Sequence, residues 1–368
     1  MVEKQGFKHF MLKEIYEQPQ VIRDTLMGRI SLDRGEVLLA ETGIPAEVFR
    51  DVRKAVIIAC GTSSHAGLIG KYFLESLAGI PADVEYASEY RYRDFILDKD
   101  ALVIVISQSG ETADTLAALR AAKGRAAATL AVTNAVSSSI ARESRGVLYT
   151  HAGPEIGVAA TKTFTAQLTA LALVALGLAQ AKGAGTKEDR LAVIAELQRI
   201  PHKVERILHR AGAIEDLAQQ FMAFSHFLYL GRWVNYPVAM EGALKLKEIS
   251  YIHAEAYAGG EMKHGPIALI DEKMPTMALI PRDRVYDKMR SNIAEIKARA
   301  GFVIAAADEN DAALREHVDA VIPLPATHPL LTPFLAVVPL QLFAYQIAAK
   351  RGADVDQPRN LAKSVTVE

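Results

Sequence analysis

A loop rich in hydroxyl and amide side chains follows one of the apolar runs of the sequence. The run covers residues 101–106, and the loop supplies Ser107, Gln108, Ser109 and Thr112 just where a helical pattern begins. The first N–H groups of a helix lack backbone partners and carry partial positive charge, so such a loop can bind a phosphate. Ordinary helix capping by Ser109 or Thr112 is the alternative. Because the loop has no lysine and lacks P-loop spacing, a small phosphate ester fits it better than a nucleotide.

A second loop with many hydrogen-bond donors begins at the end of the apolar run 56–60. It contains Cys60, Thr62 and Ser63. Ligands of open parallel sheets bind at the carboxyl ends of the strands, so the two loops lie close together if their strands are neighbours. We predict that these three side chains take part in substrate binding.

Three charged residues follow Pro237 at helical spacing. Glu241, Lys245 and Glu248 are spaced i, i+4, i+7, which places them on one face of a helix. A solvated stripe with a weak Glu–Lys pair is one interpretation. A catalytic face, in which one carboxylate moves a proton, is the other. The spacing leaves both open.

A histidine in a turn is a further candidate. His264 precedes a Gly-Pro pair that fixes its position, and an imidazole suits acid–base chemistry near neutral pH. An unremarkable loop histidine is the alternative. Since no histidine pair has metal-ligand spacing, we predict no metal site.

The C-terminal tail contains one candidate, Lys363. Most termini fray, but this tail also has the apolar residues Leu361 and Val365, through which it can dock. A docked, partly desolvated lysine can attack a carbonyl as the free amine.

Alternating strands and helices position these residues. Short apolar runs predict buried strands at 56–60, 101–106, 129–132 and 147–150, and again at 227–230, 277–280, 302–306 and 321–324. Helical patterns lie at 65–77, 112–123, 168–181, 188–224, 237–250 and 335–350. The first forty residues are also expected to be helical, with Pro19 in the first turn of a second helix. This alternation predicts an α/β fold with parallel sheets.

The two halves of the chain share landmarks. A strand stops at Gly61 in one half and at Gly231 in the other, and a glutamate, Glu85 or Glu255, lies 24 positions after each glycine. We therefore predict a duplicated domain. The expected segments are an N-terminal helical segment (1–40), a first domain with the phosphate loop (41–185), a second domain with the charged helix (186–350) and a tail (351–368).

Composition excludes several classes of protein. Half of the 368 residues are hydrophobic, and 42 Lys+Arg stand against 43 Asp+Glu. This hydrophobic content is enough for a large core, and the balanced charge gives no reason to expect nucleic-acid binding. The single cysteine excludes a disulfide framework. With no apolar leader and no apolar stretch longer than 168–179, we expect a soluble, cytoplasmic protein without a membrane partner.

Together the motifs resemble those of a known family. The loops at 60–63 and 107–112, the helix run 241–255, residues 263–266 and the tail from 354 are similar to the glucosamine-6-phosphate synthases, also called isomerizing glutamine–fructose-6-phosphate aminotransferases. The similarity extends from Lys13 to the last residue. It implies two tandem sugar-isomerase (SIS) domains, each a doubly wound parallel sheet, in a homodimer that needs no cofactor.

The resemblance also implies roles for the candidates. Lys363 would form a Schiff base with the open-chain ketone of fructose 6-phosphate. Glu248 would move a proton between C1 and C2, supported by Lys245 and Glu241, to give glucosamine 6-phosphate. Ring opening would be assisted by His264 of the partner subunit. The substrate phosphate would be held by Ser63, Ser107, Gln108, Ser109 and Thr112.

One feature of that family is missing from this sequence. Complete members carry an N-terminal glutaminase domain with a cysteine nucleophile at the mature N-terminus, whereas residue 2 is Val and the only cysteine is Cys60. We expect an isomerase half, excised or naturally stand-alone, whose ammonia comes from the missing glutaminase domain. A stand-alone sugar-phosphate deaminase or deglycase and a non-catalytic sugar-phosphate sensor are the alternatives.

Overall fold

The computed structural model describes residues 3–366. Met1, Val2, Val367 and Glu368, which belong to the expected N-terminal segment and tail, lie outside the described residues. The chain divides into two units. The N-unit comprises Glu17–Glu155, Lys162–Pro201 and Ala362–Glu368, and the C-unit comprises Met1–Tyr16, Ile156–Thr161 and His202–Leu361.

Each unit is built from strands and helices that alternate along the chain. The strands are β1 (Ile30–Ser31), β2 (Glu36–Val37), β3 (Lys54–Ala59), β4 (Ala82–Tyr86), β5 (Ala101–Ser107), β6 (Ala128–Thr133), β7 (Gly146–Tyr149), β8 (His226–Gly231), β9 (His253–Ala258), β10 (Thr276–Ile280), β11 (Val303–Asp308) and β12 (Ala320–Leu324). The helices are α1 (Phe10–Leu26), α2 (Ala46–Asp51), α3 (Gly61–Phe73), α4 (Ala87–Tyr90), α5 (Ala113–Ala122), α6 (Ser139–Glu143), α7 (Lys162–Lys182), α8 (Lys187–Leu208), α9 (Ala211–Phe221), α10 (Tyr236–Ser250), α11 (Tyr286–Lys297) and α12 (Thr332–Lys350).

The N-unit contains a five-stranded parallel sheet in the order β4-β3-β5-β6-β7. All seven residues of β5 and all six of β6 are buried, as expected for central strands covered by helices on both faces. The apolar runs therefore predicted these strands correctly. They missed β4, an edge strand whose side chains are largely polar and partly exposed.

The C-unit contains a second parallel sheet in the equivalent order, β9-β8-β10-β11-β12. Glu85 lies on β4 and Glu255 on β9, so the two landmark glutamates occupy the same edge strand of the two sheets. The repeated order confirms the predicted α/β fold with two doubly wound parallel sheets.

Three helical predictions were wrong in detail. Pro19 lies inside the single helix α1 rather than at the start of a second helix, and the β1–β2 hairpin follows α1. An internal proline costs about 3 kcal/mol, which the complete burial of Met11, Ile15 and Ile22 on α1 offsets. The region 188–224 is divided between α8 and α9.

Two apolar helices are long enough to cross a membrane by length and composition. They are α7, which begins six residues before the expected start at 168, and the segment Pro329–Lys350, which contains α12. Inside the protein, 83% and 94% of their apolar windows are buried. Both therefore pack as core helices of their units.

Candidate active site

The two donor-rich loops lie at the point where the strand order of the N-unit sheet reverses. β3 and β5 are neighbours in register, with Ile58 opposite Val105. β3 continues into the loop at 60–63 and β5 into the loop at 107–112. Crevices at this switch point are the usual ligand sites of doubly wound sheets.

The loop after β5 holds its hydroxyl groups in a fixed network. Ser107 Oγ accepts a hydrogen bond from the Gly110 N–H at 3.0 Å and lies 2.9 Å from Thr112 Oγ1. Whichever hydroxyl of that pair donates, the other keeps a hydrogen for a ligand. Ser109 Oγ accepts from the Glu111 N–H at 3.2 Å, so its own O–H can donate to an anion. Gln108 and Ser109 are both partly exposed.

Gly110 is required by the shape of this loop. Its φ is 66°, in the left-handed region, and an added Cβ would lie 2.0 Å from Ser138 Oγ. The next residue ties the loop to α6, because Glu111 Oε1 accepts from the Ser139 N–H at 2.7 Å. That hydrogen bond holds the pKa of Glu111 below its ordinary value. The loop is therefore preorganised around its donors.

The loop after β3 runs directly into α3, four residues earlier than expected. Burial raises the pKa of the Cys60 thiol, so Cys60 is a neutral group near neutral pH rather than a nucleophile. Thr62 and Ser63, in the first turn of α3, are partly exposed. Ser63 Oγ lies 3.0 Å from Nε2 of the buried Gln167 on α7. As an acceptor from Gln167, Ser63 can direct its own hydrogen toward a ligand.

The tail docks on the N-unit beside the loop at 107–112. The carbonyl of Val365 accepts from the N–H of Ala113, the first residue of α5 and the neighbour of Thr112. Lys363 is two residues away, at most about 7 Å along an extended chain. Of residues 359–366, only Lys363 is not classed as exposed. The N-unit thus holds the tail backbone next to the loop at 107–112.

Sequence reasoning missed the partner of Lys363. Lys363 Nζ lies 2.5 Å from Oε2 of Glu155, whose side chain is fully buried. Glu155 also accepts hydrogen bonds from the N–H and the hydroxyl of Thr163, at 3.2 and 2.8 Å. Thr163 lies in the first turn of α7, where the partial positive charge of the helix stabilises a carboxylate. Glu155 lies in a loop without hydrophobic periodicity, so no pattern indicated it.

The charged residues of α10 form a buried cluster in the C-unit. Lys245 Nζ lies 3.4 Å from a carboxylate oxygen of Glu241 and 2.5 Å from one of Glu248. The side chains of Lys245 and Glu241 are fully buried, while Glu248 is 21% exposed. The interpretation as a solvated stripe was therefore wrong. Glu248 is the member of the cluster that is open to solvent and can exchange a proton with a ligand.

His264 ends a 3-10 turn, Glu261–His264, in the C-unit, and its side chain is exposed. Gly265 follows with a φ of 142°, a conformation that side chains rarely adopt. Within residues 3–366, no group of three or more His, Cys, Asp or Glu side chains is arranged to hold a metal ion.

The site residues predicted from the sequence divide between the two units. Glu241, Lys245, Glu248 and His264 lie in the C-unit, and the others lie in the N-unit.

Comparison with known proteins identifies the family. The family model described as "SIS domain" matches two segments, residues 48–177 and 224–351, one around each parallel sheet. The chain belongs to the SIS domain family. The two matched segments explain the duplicated strand order.

Relatives that match over the whole chain indicate which SIS proteins it resembles. It is 56% identical over its whole length to the glutamine–fructose-6-phosphate aminotransferase (isomerizing) of Aquifex aeolicus, of which it covers 59%. It superposes with a TM-score of 0.91 and 44% identity on the C-terminal domain of glucosamine-fructose-6-phosphate aminotransferase from Francisella tularensis, covering 97% of this chain and 100% of that one. The chain spans about three fifths of the length of its curated relatives and is similar to their isomerase part.

A more distant solved structure shares the fold alone. The glucosamine-6-phosphate deaminase of Thermotoga maritima has a TM-score of 0.74 and 23% identity, with 97% of this chain and 99% of that chain covered. The double SIS architecture therefore extends to proteins whose names give a different reaction.

Proposed function

We propose that this SIS chain performs the sugar half of the aminotransferase reaction and converts fructose 6-phosphate and ammonia into glucosamine 6-phosphate and water. The observation that supports the proposal is the docked tail: the Val365 carbonyl, two residues from Lys363, accepts a hydrogen bond from the Ala113 N–H, next to the loop at 107–112. A phosphate site and an amine nucleophile within one unit suit a substrate with a phosphate at one end and a ketone near the other. The similarity to aminotransferase C-terminal domains supports the same reading.

In this proposal the phosphate is held by the preorganised donors of the N-unit. The hydroxyls of Ser109 and the Ser107–Thr112 pair donate to phosphate oxygens, and Gln108 adds an amide. Cys60, Thr62 and Ser63 line the neighbouring loop at the switch point. Fixing the phosphate orients the far end of the sugar, which lowers the entropic part of the barrier.

Lys363 then reacts with the ketone. Once the Lys363 ammonium has lost a proton, the free amine attacks C2 of the open-chain sugar. The carbonyl oxygen takes up the two protons that the nitrogen loses and leaves as water, which gives a Schiff base. Ammonia displaces the lysine from C2 and leaves a fructosimine. In the longer relatives the nitrogen donor named is glutamine; here we propose ammonia as the direct donor.

Glu248 completes the reaction in this proposal. Its carboxylate removes a proton from C1 of the fructosimine and returns it to C2. The C1 hydroxyl loses its proton and becomes the aldehyde, and the imine nitrogen gains one proton and becomes the amine. The Lys245 ammonium, 2.5 Å away, stabilises the charged carboxylate, and the buried Glu241 fixes Lys245 from the other side. A non-catalytic sensor has no need for such a cluster, which favours an enzyme.

The homodimer and the location are part of the proposal. The exposed His264 is suited to act on a second copy, so we propose a homodimer in which His264 of the partner subunit assists ring opening. The soluble fold and the absence of any disulfide pair fit a cytoplasmic enzyme.

The test is product formation by the purified chain. With fructose 6-phosphate and an ammonium salt, mass spectrometry should detect glucosamine 6-phosphate; without ammonia, only exchange between hexose 6-phosphates is expected. Ser109→Ala combined with Thr112→Val should weaken fructose 6-phosphate binding about a hundredfold, since each removes a hydrogen bond to a charged group. Ser291→Ala, an exposed serine on α11, is the control. Conversion of glucosamine 6-phosphate alone, with no synthesis at any ammonia concentration, would favour a deaminase instead.

A further inference from the structure

Glu155 is a fully buried carboxylate that none of the roles above uses. Its side chain has no exposed surface, and it lies directly after Pro154 in the loop that leads to α7. A buried carboxylate is costly unless it is paired and hydrogen-bonded. Its partners in the N-unit include Thr163 at the start of α7 and Lys363 in the tail.

We propose that Glu155 is the positioning residue for Lys363, which holds the tail amine in place for attack on the ketone. This inference rests on the proposed function for its chemistry, although the positioning itself can be tested without substrate. The contact joins residues 208 positions apart in the chain, so it is a tertiary anchor rather than a local turn.

The geometry makes Glu155 a rigid anchor. Oε1 accepts from the Thr163 N–H and Oε2 from the Thr163 hydroxyl, so both oxygens are fixed by the first turn of α7. Oε2 is also the oxygen that binds Lys363. A donor held against a fixed acceptor keeps one position, whereas a solvated lysine samples many rotamers.

The residues that flank Lys363 in the tail differ from it in exposure. The neighbouring residues 359–362 and 364–366 are exposed, and the bond from Ala113 N–H to the Val365 carbonyl fixes only the backbone two residues further on. That bond ties the tail backbone to α5, and the Glu155 carboxylate binds the Lys363 amine. Both constraints are needed for an effective nucleophile.

The variant that isolates this role is Glu155→Gln. Glutamine has the same size and keeps a carbonyl oxygen for the Thr163 N–H, but it loses the charge that binds Lys363. Glu143→Gln is the matched control, because Glu143 is also in the N-unit and pairs with Arg120 at 2.6 Å. Circular dichroism and thermal melting should show that both variants remain folded.

Two measurements test the proposal. In the first, borohydride is added with fructose 6-phosphate, and the rate at which a reduced hexose phosphate forms on Lys363 should fall about tenfold in Glu155→Gln, with the affinity for fructose 6-phosphate unchanged by calorimetry. In the second, without substrate, trypsin should cleave the bond after Lys363 about tenfold faster in Glu155→Gln, because the amine is no longer held. Glu143→Gln should match the wild type in both.

The outcomes separate this proposal from the function on which it rests. Faster tryptic cleavage with no borohydride adduct in the wild type would support positioning by Glu155 and overturn the Schiff-base chemistry. Adduct formation and cleavage at wild-type rates in Glu155→Gln would overturn the role of Glu155 alone. A purely structural role is the remaining alternative: it would make Glu155→Gln weaken sugar-phosphate binding equally in the wild type and in a Lys363→Ala background, which would also overturn the proposal.

Discussion

Lys245 lies between two carboxylates on α10, and we expect removal of its charge to destabilise the C-unit by about 3–5 kcal/mol. The ammonium is 3.4 Å from Glu241 and 2.5 Å from Glu248, and neither Lys245 nor Glu241 has any exposed side-chain surface. At an effective dielectric of about 20, unit charges about 4 Å apart attract by about 4 kcal/mol. Desolvation opposes that gain, but deleting one partner of a buried pair leaves the other charge buried and typically costs about 3–5 kcal/mol. Lys245→Met preserves most of the side-chain volume and removes only the charge.

The single tryptophan makes the C-unit separately observable. Trp233 lies in the C-unit, with the Arg284 guanidinium 4.1 Å from its ring centre, so its fluorescence should change when the C-unit unfolds. A urea slope of about 2 kcal/mol per molar converts the expected loss into a fall of about 2 M in the unfolding midpoint. The whole-chain signal need not be two-state, so only the tryptophan transition is compared.

A matched control lies two residues away. Lys247 is exposed on the same helix, and Lys247→Met should change stability by no more than about 0.5 kcal/mol. Combining Lys245→Met with Glu241→Leu should recover part of the lost stability, because the second substitution removes the buried negative charge as well. Equal midpoints for Lys245→Met and Lys247→Met, or losses that simply add in the double variant, would refute the electrostatic reasoning.

Three further predictions concern other parts of the chain. Burial alone would raise the pKa of Asp311, but hydrogen bonds from Tyr286 and an arginine outweigh it and hold the pKa below its ordinary value; the stabilisation is therefore present above about pH 4 and lost as the carboxylate is protonated at lower pH. Asp311→Asn should cost about 1–2 kcal/mol at pH 7, and by urea titration the loss should shrink as the pH falls below about 4; a loss that does not change with pH would contradict the assignment. Mixing the inactive variants His264→Ala and Lys363→Ala should restore activity if the histidine acts across a dimer, and no recovery despite confirmed subunit exchange would argue for a site within one chain. Gln167→Met should weaken fructose 6-phosphate binding about tenfold by calorimetry; unchanged affinity would mean that Gln167 does not orient the serine it contacts.

The sequence predicted the central strands because burial on both faces leaves a direct pattern. β3 and β5 consist mainly of aliphatic residues, and a continuous apolar run is what a covered parallel strand requires. The edge strands β4 and β9 carry acidic side chains and have one open side, so no apolar run marks them. Their positions became clear only from pairing with β3 and β8.

The charged helix α10 shows a second property, burial, that the sequence did not predict. The spacing of Glu241, Lys245 and Glu248 correctly placed them on one face of α10, but spacing does not say whether a face is buried. Ala239, Ala243 and Leu246 on the other face are buried too, so α10 is covered on both sides. Tertiary packing decides whether such a face is buried. On α10 it buries a charge pattern that is ordinary on exposed helices, and the result is a buried ion cluster with a desolvation cost.

Glu155 could not be predicted as a site residue from the sequence, for a physical reason. It lies in a segment with neither helical nor strand periodicity, and its partner Lys363 is 208 residues away. Only the docked tail shows why an acidic residue is buried there. The tail is docked at its start, since Val355 is fully buried and Asp356 caps α1 through the Phe10 and Met11 N–H groups. The expectation that it docks through the side chains of Leu361 and Val365 was wrong, because both are exposed.

The most direct test of the proposed reaction follows the proton that moves from C1 to C2. The purified chain is incubated with ammonia and fructose 6-phosphate that carries deuterium at C1, and the aminosugar is examined by mass spectrometry and NMR. We predict glucosamine 6-phosphate with at least part of the deuterium at C2, because a single carboxylate both removes and returns the proton. Glu248→Gln should abolish this product, whereas Glu255→Gln on the edge strand β9 should not. Failure of the wild-type chain to form glucosamine 6-phosphate, or deuterium transfer at the full rate in Glu248→Gln, would contradict the account.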